Sequence, residues 1–475
     1  MIKFGTGGWR AIIGDEFIRS NIELLAKAVA TKMKDEGVAS KGIVIGYDRR
    51  FLSKEAMQWS ARVFAQEGIE AYLINKSVPT PVVMFYVMKH ELAYGMMVTA
   101  SHNPALYNGI KVFTAGGRDA DEIQTAQIEE YIKKVSAEGP VEYMEYDEGK
   151  EKGLIHEIYP LNEYIDSIIS RINMDAIKDK GLRVVLDPMY GVSETSLRIT
   201  LQTARCEVET IHDRHDTLFG GKLPAPTAAT LHQLQNVVLD GHYDIGIATD
   251  GDADRIGVID DKGKFLHPNE IMALLYYYLE EFKGWKGPVV RNVCTTHVLD
   301  RMAEKYGEKC YEVPVGFKHI SAKMNETDAV IGGESSGGLT VRGHIKGKDG
   351  VYAAMLLVEM IAVTGKKLSQ IIEDLEKEFG NISMEENDYH FTRETKAEIM
   401  NRLLIKKELP EFPYEVEKVS YLDGSKVYFK NGGWIIARFS GTEPLLRIYA
   451  EMPDTEDAKK LCKLYEEFLG LKHEQ

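Results

Sequence analysis

Positive charge is in short supply in this chain: 73 Asp and Glu stand against 58 Lys and Arg, a formal net charge of −15 at pH 7. Nucleic acids and anionic membranes are held through an excess of Lys and Arg, so neither is expected as a partner. Cysteine is scarce as well. Cys206, Cys294, Cys310 and Cys462 lie far apart with no Cys-x-x-Cys pair, which excludes a disulfide framework and a zinc cluster and leaves reduced core thiols. The apolar run Ile271–Leu279 is too short to span a bilayer, and the N-terminus shows no basic segment leading into an apolar stretch. No low-complexity segment interrupts the chain. A cytoplasmic protein is expected.

At 475 residues the chain exceeds what one hydrophobic core organises, and 44% hydrophobic with 28% charged residues is the balance of a soluble globular protein. Patterning predicts a helix near Asn21–Glu36, a strand at Ile43–Tyr47, a helix after an N-cap at Ser53 and a strand at Ala71–Ile74, the alternation of βαβ units. A charged passage from Lys133 to Lys152 reads as a linker, after which a helix near Leu161–Ile172 and a strand at Leu182–Leu186 restart the pattern. The strand near Tyr243–Ala248 runs into an acidic loop, and the turn Asp260–Gly263 is expected to open a third unit. From about Asn381 a helix, hairpins at Asp423-Gly424 and Asn431-Gly432, strands Trp434–Phe439 and Leu446–Ala450 and a helix Thr455–Leu469 read as a small α+β domain. The expectation is three similar α/β domains (1–150, 151–258 and 259–380) and an α+β domain (381–475).

Chemistry concentrates in a few loops. Thr99-Ala100-Ser101-His102-Asn103-Pro104 follows the apolar run Tyr94–Val98, which puts Ser101 at the carboxyl end of a strand, where open α/β sheets bind ligands. Lys111, in Asn108-Gly109-Ile110-Lys111, is placed to curl back to the serine as a general base, and His102 either orients the loop or takes a proton. Asp250-Gly251-Asp252-Ala253-Asp254-Arg255 spaces three carboxylates at alternate positions, the period that points extended-chain side chains to one side. Three oxygens with positions left for a phosphate oxygen suit a hard cation such as Mg²⁺. An EF-hand is excluded, since its sixth and twelfth positions would be Arg255 and Asp261; a solvated acidic turn is the competing reading. Glu334 and Ser336 lie in the Gly-rich stretch Ile331–Gly338, and His344 to Gly350 adds cations. Near the C-terminus, Arg438-Phe439-Ser440-Gly441-Thr442-Glu443-Pro444, followed by Arg447, offers hydroxyls, backbone amides and guanidinium forks for a phosphate dianion. The competing reading pairs Arg438 and Arg447 with Glu443 or Glu451. Phe4–Arg10 is a glycine turn presenting Arg10.

Taken in order, an Arg-bearing start, a Ser-His-Asn-Pro loop, an Asp-Gly-Asp-x-Asp-Arg loop, a Gly-Glu-x-Ser-Gly loop and an Arg-x-Ser-Gly-Thr-Glu-Pro loop resemble the α-D-phosphohexomutase superfamily across the whole chain. The resemblance implies three similar α/β domains and a more mobile fourth around a central cleft, each giving one loop. It makes Ser101 the phosphorylated serine and gives Mg²⁺ to Ser101, Asp250, Asp252 and Asp254. It assigns sugar hydroxyls to Glu334 and Ser336, and the distal phosphate to Arg438, Ser440, Gly441, Thr442 and Arg447. Arg10, Arg255 and Lys111 fall near the reacting phosphate, and Lys348, in a phosphoglucomutase-like Lys-Asp-Gly segment, is a second acid/base candidate. Two departures stand out. The opening loop reads Gly-Thr-Gly-Gly rather than Gly-Thr-Ser-Gly, and the sugar loop lacks the Gly-His ending of phosphomannomutase-type members, offering His344 later.

The implied activity moves a phosphoryl group between C1 and C6 of a phosphorylated sugar through a hexose 1,6-bisphosphate, with glucose 1,6-bisphosphate as activator and glucose or mannose phosphates as substrates. Alternatives on the same scaffold are a phosphopentomutase, a phosphoglucosamine mutase, a phosphoserine-based sugar phosphatase or a silent binding relative. A phosphate substrate would have to meet a basic site inside an acidic protein, which these loops supply.

Overall fold

The computed structural model describes residues 2–5, 7–381, 383–391, 393–440 and 445–471, with the backbone alone at 393 and 394. It divides into two compact units, 1–271 with 336–369, and 272–335 with 370–475. No helix among the described residues is long and apolar enough to cross a membrane.

The first unit carries two sheets. An eight-stranded sheet runs Phe4–Gly5, Gly8–Ile12, Tyr107–Thr114, Tyr94–Val98, Ile43–Tyr47, Ala71–Ile74 and Ile155–Ile158, with Arg118–Asp119 on the side of Tyr107–Thr114. Its four strands from Tyr94–Val98 to Ile155–Ile158 are parallel. Tyr94–Val98 and Ile43–Ile45 are buried on both faces, as continuous apolar runs at the centre of a helix-covered parallel sheet should be. Helices Arg19–Asp35 and Ser53–Gln66 pack around this core.

The expected linker is mostly regular. Helix Glu122–Ser136, capped by Asp121, extends into it and helix Tyr146–Glu151 closes it. The first sheet then continues past residue 150, because Ile155–Ile158 adds in parallel to Ala71–Ile74. Ser53 is the first helical residue and not the cap. Its hydroxyl donates to Asp48 at 2.8 Å while Leu52, at φ 64°, occupies the capping position.

The second sheet is ordered Glu207–Thr210, Arg183–Asp187, Ile245–Thr249, Ile256–Ile259 and Phe265–Leu266, the first three strands parallel and the last two antiparallel. The turn Asp260–Gly263 therefore closes a hairpin of this sheet. Asp260 accepts the amides of Lys262 and Lys264, which fixes the turn. Helix Gly350–Thr364 packs against this sheet and is buried almost all round, as a helix apolar on every face must be. Asp349 caps it by accepting from Val351 and Tyr352.

In the second unit, Val289–Asn292 lies between parallel strands Cys310–Val313 and Ile331–Gly333. The C-terminal part begins with a strand rather than a helix. Ser383–His390, Leu445–Met452, Trp434–Phe439, Ser425–Phe429 and Val416–Ser420 form an antiparallel sheet, covered by helix Thr455–Leu469. Lys426 fastens this sheet to the parallel strands. Its ammonium donates to Glu312 and to the Val293 carbonyl, each at 2.7 Å, and lies 3.0 Å from His297 Nε2. Arg291 joins the same Glu312 at 2.5 Å and forks onto Asp300 at 2.7 and 2.9 Å.

Candidate active site

Ser101 follows the strand Tyr94–Val98, and the chain returns antiparallel through Tyr107–Thr114 with Lys111 opposite Met97. The loop after Ile245–Thr249 meets it. Gly251 allows this approach, because a Cβ there would stand 2.7 Å from the Ser101 carbonyl oxygen. The result is that Ser101 Oγ donates to Asp250 Oδ2 at 2.7 Å. Ser101 is fully buried and holds φ at 53°, a left-handed conformation that costs a non-glycine residue roughly 1–3 kcal/mol and persists only where its surroundings impose it.

Asp250, Asp252 and Asp254 converge so that one ligand atom from each lies within 4.8 Å of the others, all buried. Strand alternation does not produce this convergence, contrary to the sequence expectation. The segment is a turn with Ala253 at φ 60°, and Asp250 Oδ1 accepts the amides of Asp254 and Arg255 at 3.0 and 3.1 Å. Thr80 holds the middle aspartate, its hydroxyl on Asp252 Oδ2 at 2.5 Å and its amide on the Asp252 carbonyl at 2.9 Å.

Cations surround the triad. Lys111 Nζ bridges Asp252 and Asp254 at 2.6 and 2.7 Å, and Lys348 Nζ reaches Asp254 at 2.7 Å. Burial alone would lower the Lys111 ammonium, but Asp252 and Asp254 outweigh it and hold it above its ordinary value. Burial likewise works against Asp254, which Lys111, Lys348 and Arg255 nevertheless keep below the usual carboxylate range. Asp250 is pushed up to about 8 by burial and by the neighbouring Asp252 and Asp254. Asp252 Oδ1 and Asp254 Oδ1 are buried with no hydrogen-bond partner. Unpartnered carboxylate oxygens in a like-charged buried triad fit a hard divalent cation. His102 Nδ1 stands 3.4 Å from Ser101 Oγ, and burial with Arg255, Arg10 and Lys348 nearby holds the imidazole neutral.

Lys348 owes its course to two features. A Cβ on Gly338 would meet its side chain at 2.2 Å, so only glycine lets it pass, and Asp349 anchors the next residue. Asp349 accepts from Tyr164 Oη at 2.7 and 2.8 Å, and its Oδ2 lies 2.6 Å from His344 Nε2. His344 is thus committed to a buried cluster at the helix start.

Sequence reasoning passed over Asp48 and Arg50. Both are buried, at the carboxyl end of Ile43–Tyr47 beside the Ser101 loop. Asp48 Oδ2 accepts from Thr99 Oγ1 at 2.6 Å, and Thr99 Oγ1 accepts the Ser101 amide at 2.8 Å. Arg50 donates to four carbonyls of the loop: Ser101 and Asn103 at 2.6 Å, Pro104 at 2.9 Å and Tyr107 at 3.0 Å. Asn103 in turn receives Arg10 Nη1 at 2.5 Å. The position was the available signal, since Asp48 and Arg50 directly follow a buried parallel strand.

In the second unit, Glu334 Oε1 accepts from Asn292 Nδ2 at 3.2 Å and from the Gly316 amide at 2.9 Å. Arg438 pairs with Asp423 at 3.3 Å and Arg447 with Asp388 at 3.7 Å, and Glu443 lies outside the described residues. The Ser440 amide donates to Leu445 O at 2.8 Å. Gly441 and Thr442 lie outside the described residues. Ser336, in the first unit, is exposed.

The serine thus stands against a buried carboxylate triad ringed by cations, at the carboxyl edge of α/β sheets. Models of the phosphoglucomutase/phosphomannomutase family match the chain part by part: α/β/α domain I over residues 1–138, domain II over 162–263, domain III over 267–379 and the C-terminal domain over 392–466. The chain belongs to this family, within the α-D-phosphohexomutase superfamily, and is a phosphohexomutase, an isomerase. A phosphoglucomutase/phosphomannomutase of Thermococcus kodakarensis is 28% identical over 97% of both chains. A probable phosphoglucosamine mutase of Methanocella arvoryzae is 31% identical over 97% of this chain and 96% of its own. The crystal structure of a putative phosphomannomutase from Thermus thermophilus superposes with a TM-score of 0.85 at 28% identity, covering 99% of each chain.

Proposed function

We propose that the protein interconverts glucose 1-phosphate and glucose 6-phosphate through phospho-Ser101 and a glucose 1,6-bisphosphate. The observation that carries this reading is the hydrogen bond from Ser101 Oγ to Asp250 inside the carboxylate triad. A free sugar hydroxyl oxygen attacks the phosphorus of phospho-Ser101, the P–Oγ bond breaks, and the bisphosphate turns around. Ser101 Oγ then takes the other phosphate, leaving the isomerised monophosphate. The hydroxyl proton moves to His102 or Lys348 and is returned in the second half, whereas Lys111, held as an ammonium by Asp252 and Asp254, has no lone pair to take it and serves as a charge beside the transferring group. Mg²⁺ held by Asp250, Asp252, Asp254 and a phosphate oxygen on Ser101 would neutralise charge on the transferring group. Arg10 and Arg255 serve the reacting phosphate. Glu334 and Ser336 serve the sugar hydroxyls, and Arg438, Ser440, Gly441, Thr442 and Arg447 the distal phosphate.

Glucosamine phosphate is the second reading, favoured by the 31% identity to a probable phosphoglucosamine mutase. Parallel assays with glucose 1-phosphate and with glucosamine 6-phosphate, each with Mg²⁺ and a trace of the matching 1,6-bisphosphate, decide between them. Glucose isomer formed at the higher kcat/KM upholds the first reading, preference for glucosamine replaces it, and inorganic phosphate as the product makes the protein a phosphatase.

A further inference from the structure

We propose that Asp48 and Arg50 are positioning residues for phosphoryl transfer, holding the Ser101 peptide groups from both sides so that Oγ meets the carboxylate triad. The inference rests on the reading of Ser101 as the phosphorylated residue.

Ser101 sits in a left-handed backbone conformation, which a serine abandons unless its flanking peptides are fixed. Both are fixed by the same pair. On the amide side, Ser101 N–H donates to Thr99 Oγ1 at 2.8 Å, and Thr99 is oriented by donating its own proton to Asp48 Oδ2 at 2.6 Å. On the carbonyl side, Ser101 C=O accepts from Arg50 Nη2 at 2.6 Å. That guanidinium also satisfies Asn103, Pro104 and Tyr107. One rigid fork thus gathers four carbonyls in and beside the Ser101 loop. The pair is itself anchored. Asp48 Oδ1 accepts from the Arg50 amide at 2.9 Å and from Ser53 Oγ at 2.8 Å, and Arg50 Nε lies 3.3 Å from Asp48 Oδ2 with both side chains fully buried. The guanidinium also covers the Phe219 ring, 4.8 Å from its centroid.

None of these groups need touch substrate. Their effect passes through the position of Ser101 Oγ, and a displacement of about 1 Å in a reacting atom costs on the order of 100-fold in rate. Charge alone does not explain the arrangement. A lysine would keep the positive charge, but its compact ammonium has three donors and cannot span four carbonyls as a planar guanidinium does.

The test is rapid-quench measurement of phosphate transfer from labelled glucose 1,6-bisphosphate to Ser101, with steady-state kcat and KM, in wild type, Arg50→Lys and Thr99→Val. Thr99→Val keeps volume and removes the relay from Asp48, so it serves if Arg50→Lys fails to fold. Arg50→Lys is expected to lower the transfer rate and kcat about 100-fold and Thr99→Val about tenfold, with KM for glucose 1-phosphate changed less than threefold. Wild-type transfer and turnover in Arg50→Lys, or in Thr99→Val where the lysine variant does not fold, would overturn the inference, as would a loss confined to KM. A wild-type protein that accepts no phosphate would instead remove the functional reading beneath it.

Discussion

Arg438 and Arg447 stand directly opposite each other on adjacent antiparallel strands, Trp434–Phe439 and Leu445–Met452. Like charges in facing positions repel. Asp423 and Asp388 draw them apart, and a dianion between the forks would draw them together. Arg438→Ala or Arg447→Ala is therefore expected to raise KM for glucose 1-phosphate about 10- to 100-fold, the loss of one or two charge-assisted hydrogen bonds. Turnover should also depend more steeply on added glucose 1,6-bisphosphate, because the intermediate escapes before Ser101 is phosphorylated again. Initial rates over a bisphosphate series measure this, and unchanged KM with an unchanged bisphosphate requirement would make the pair structural.

Asp252→Asn should abolish Mg²⁺-supported turnover while sparing the fold. The substitution keeps volume and leaves an oxygen for Thr80 and Lys111, but removes one charge from the triad. Calorimetric titration with Mg²⁺ alone is expected to show at least tenfold weaker binding. Wild-type binding and turnover across a magnesium series, with a normal unfolding temperature, would rule the triad out as the metal site.

Asp349 is a stability hub behind Lys348, and Asp349→Ala strips a cap from helix Gly350–Thr364 while stranding the buried Tyr164 hydroxyl and His344. A loss of about 2–4 kcal/mol in unfolding free energy is expected from the cap and the orphaned groups together. Denaturant unfolding checks it, and a loss below about 0.5 kcal/mol would contradict the hub.

His297 makes the second unit sensitive to acid. Burial, with Arg291 and Lys426 beside it, lowers its imidazole from 6.5 to about 3, so the folded protein keeps it neutral where the unfolded chain would be protonated. Its contribution is complete above pH 6.5 and is lost as pH falls from there toward 3, at up to about 1.4 kcal/mol per pH unit. His297→Gln should flatten the decline in unfolding temperature between pH 6.5 and 5. Parallel slopes in the two proteins would show that His297 titrates normally.

Much of the scaffold was legible because buried strands write themselves as continuous apolar runs. Ile43–Tyr47, Ala71–Ile74, Tyr94–Val98 and Trp434–Phe439 fall at the expected residues. The Ser101 and aspartate loops were legible because unusual residue types crowd into short segments. What escaped depends on partners distant in the chain. Thr80 matters through Asp252 and Tyr164 through Asp349, and neither contact leaves a local pattern. The hairpin at Asp260 also escaped, because the pairing of Ile259 with Phe265 across that turn leaves no local pattern. The aspartate spacing matched strand alternation by coincidence, whereas a positive φ at Ala253 does the gathering.

The most direct test of the central claim is to follow one phosphate. The protein is incubated with glucose 1,6-bisphosphate labelled in its phosphates, freed of small molecules, and analysed by intact mass and peptide mapping before and after a chase with unlabelled glucose 1-phosphate. The account predicts one phosphoryl group on Ser101, its transfer to sugar in the chase with glucose 6-phosphate appearing, and neither event in Ser101→Ala. Isomer formed at the wild-type rate by Ser101→Ala, or a label found on another residue, would contradict it.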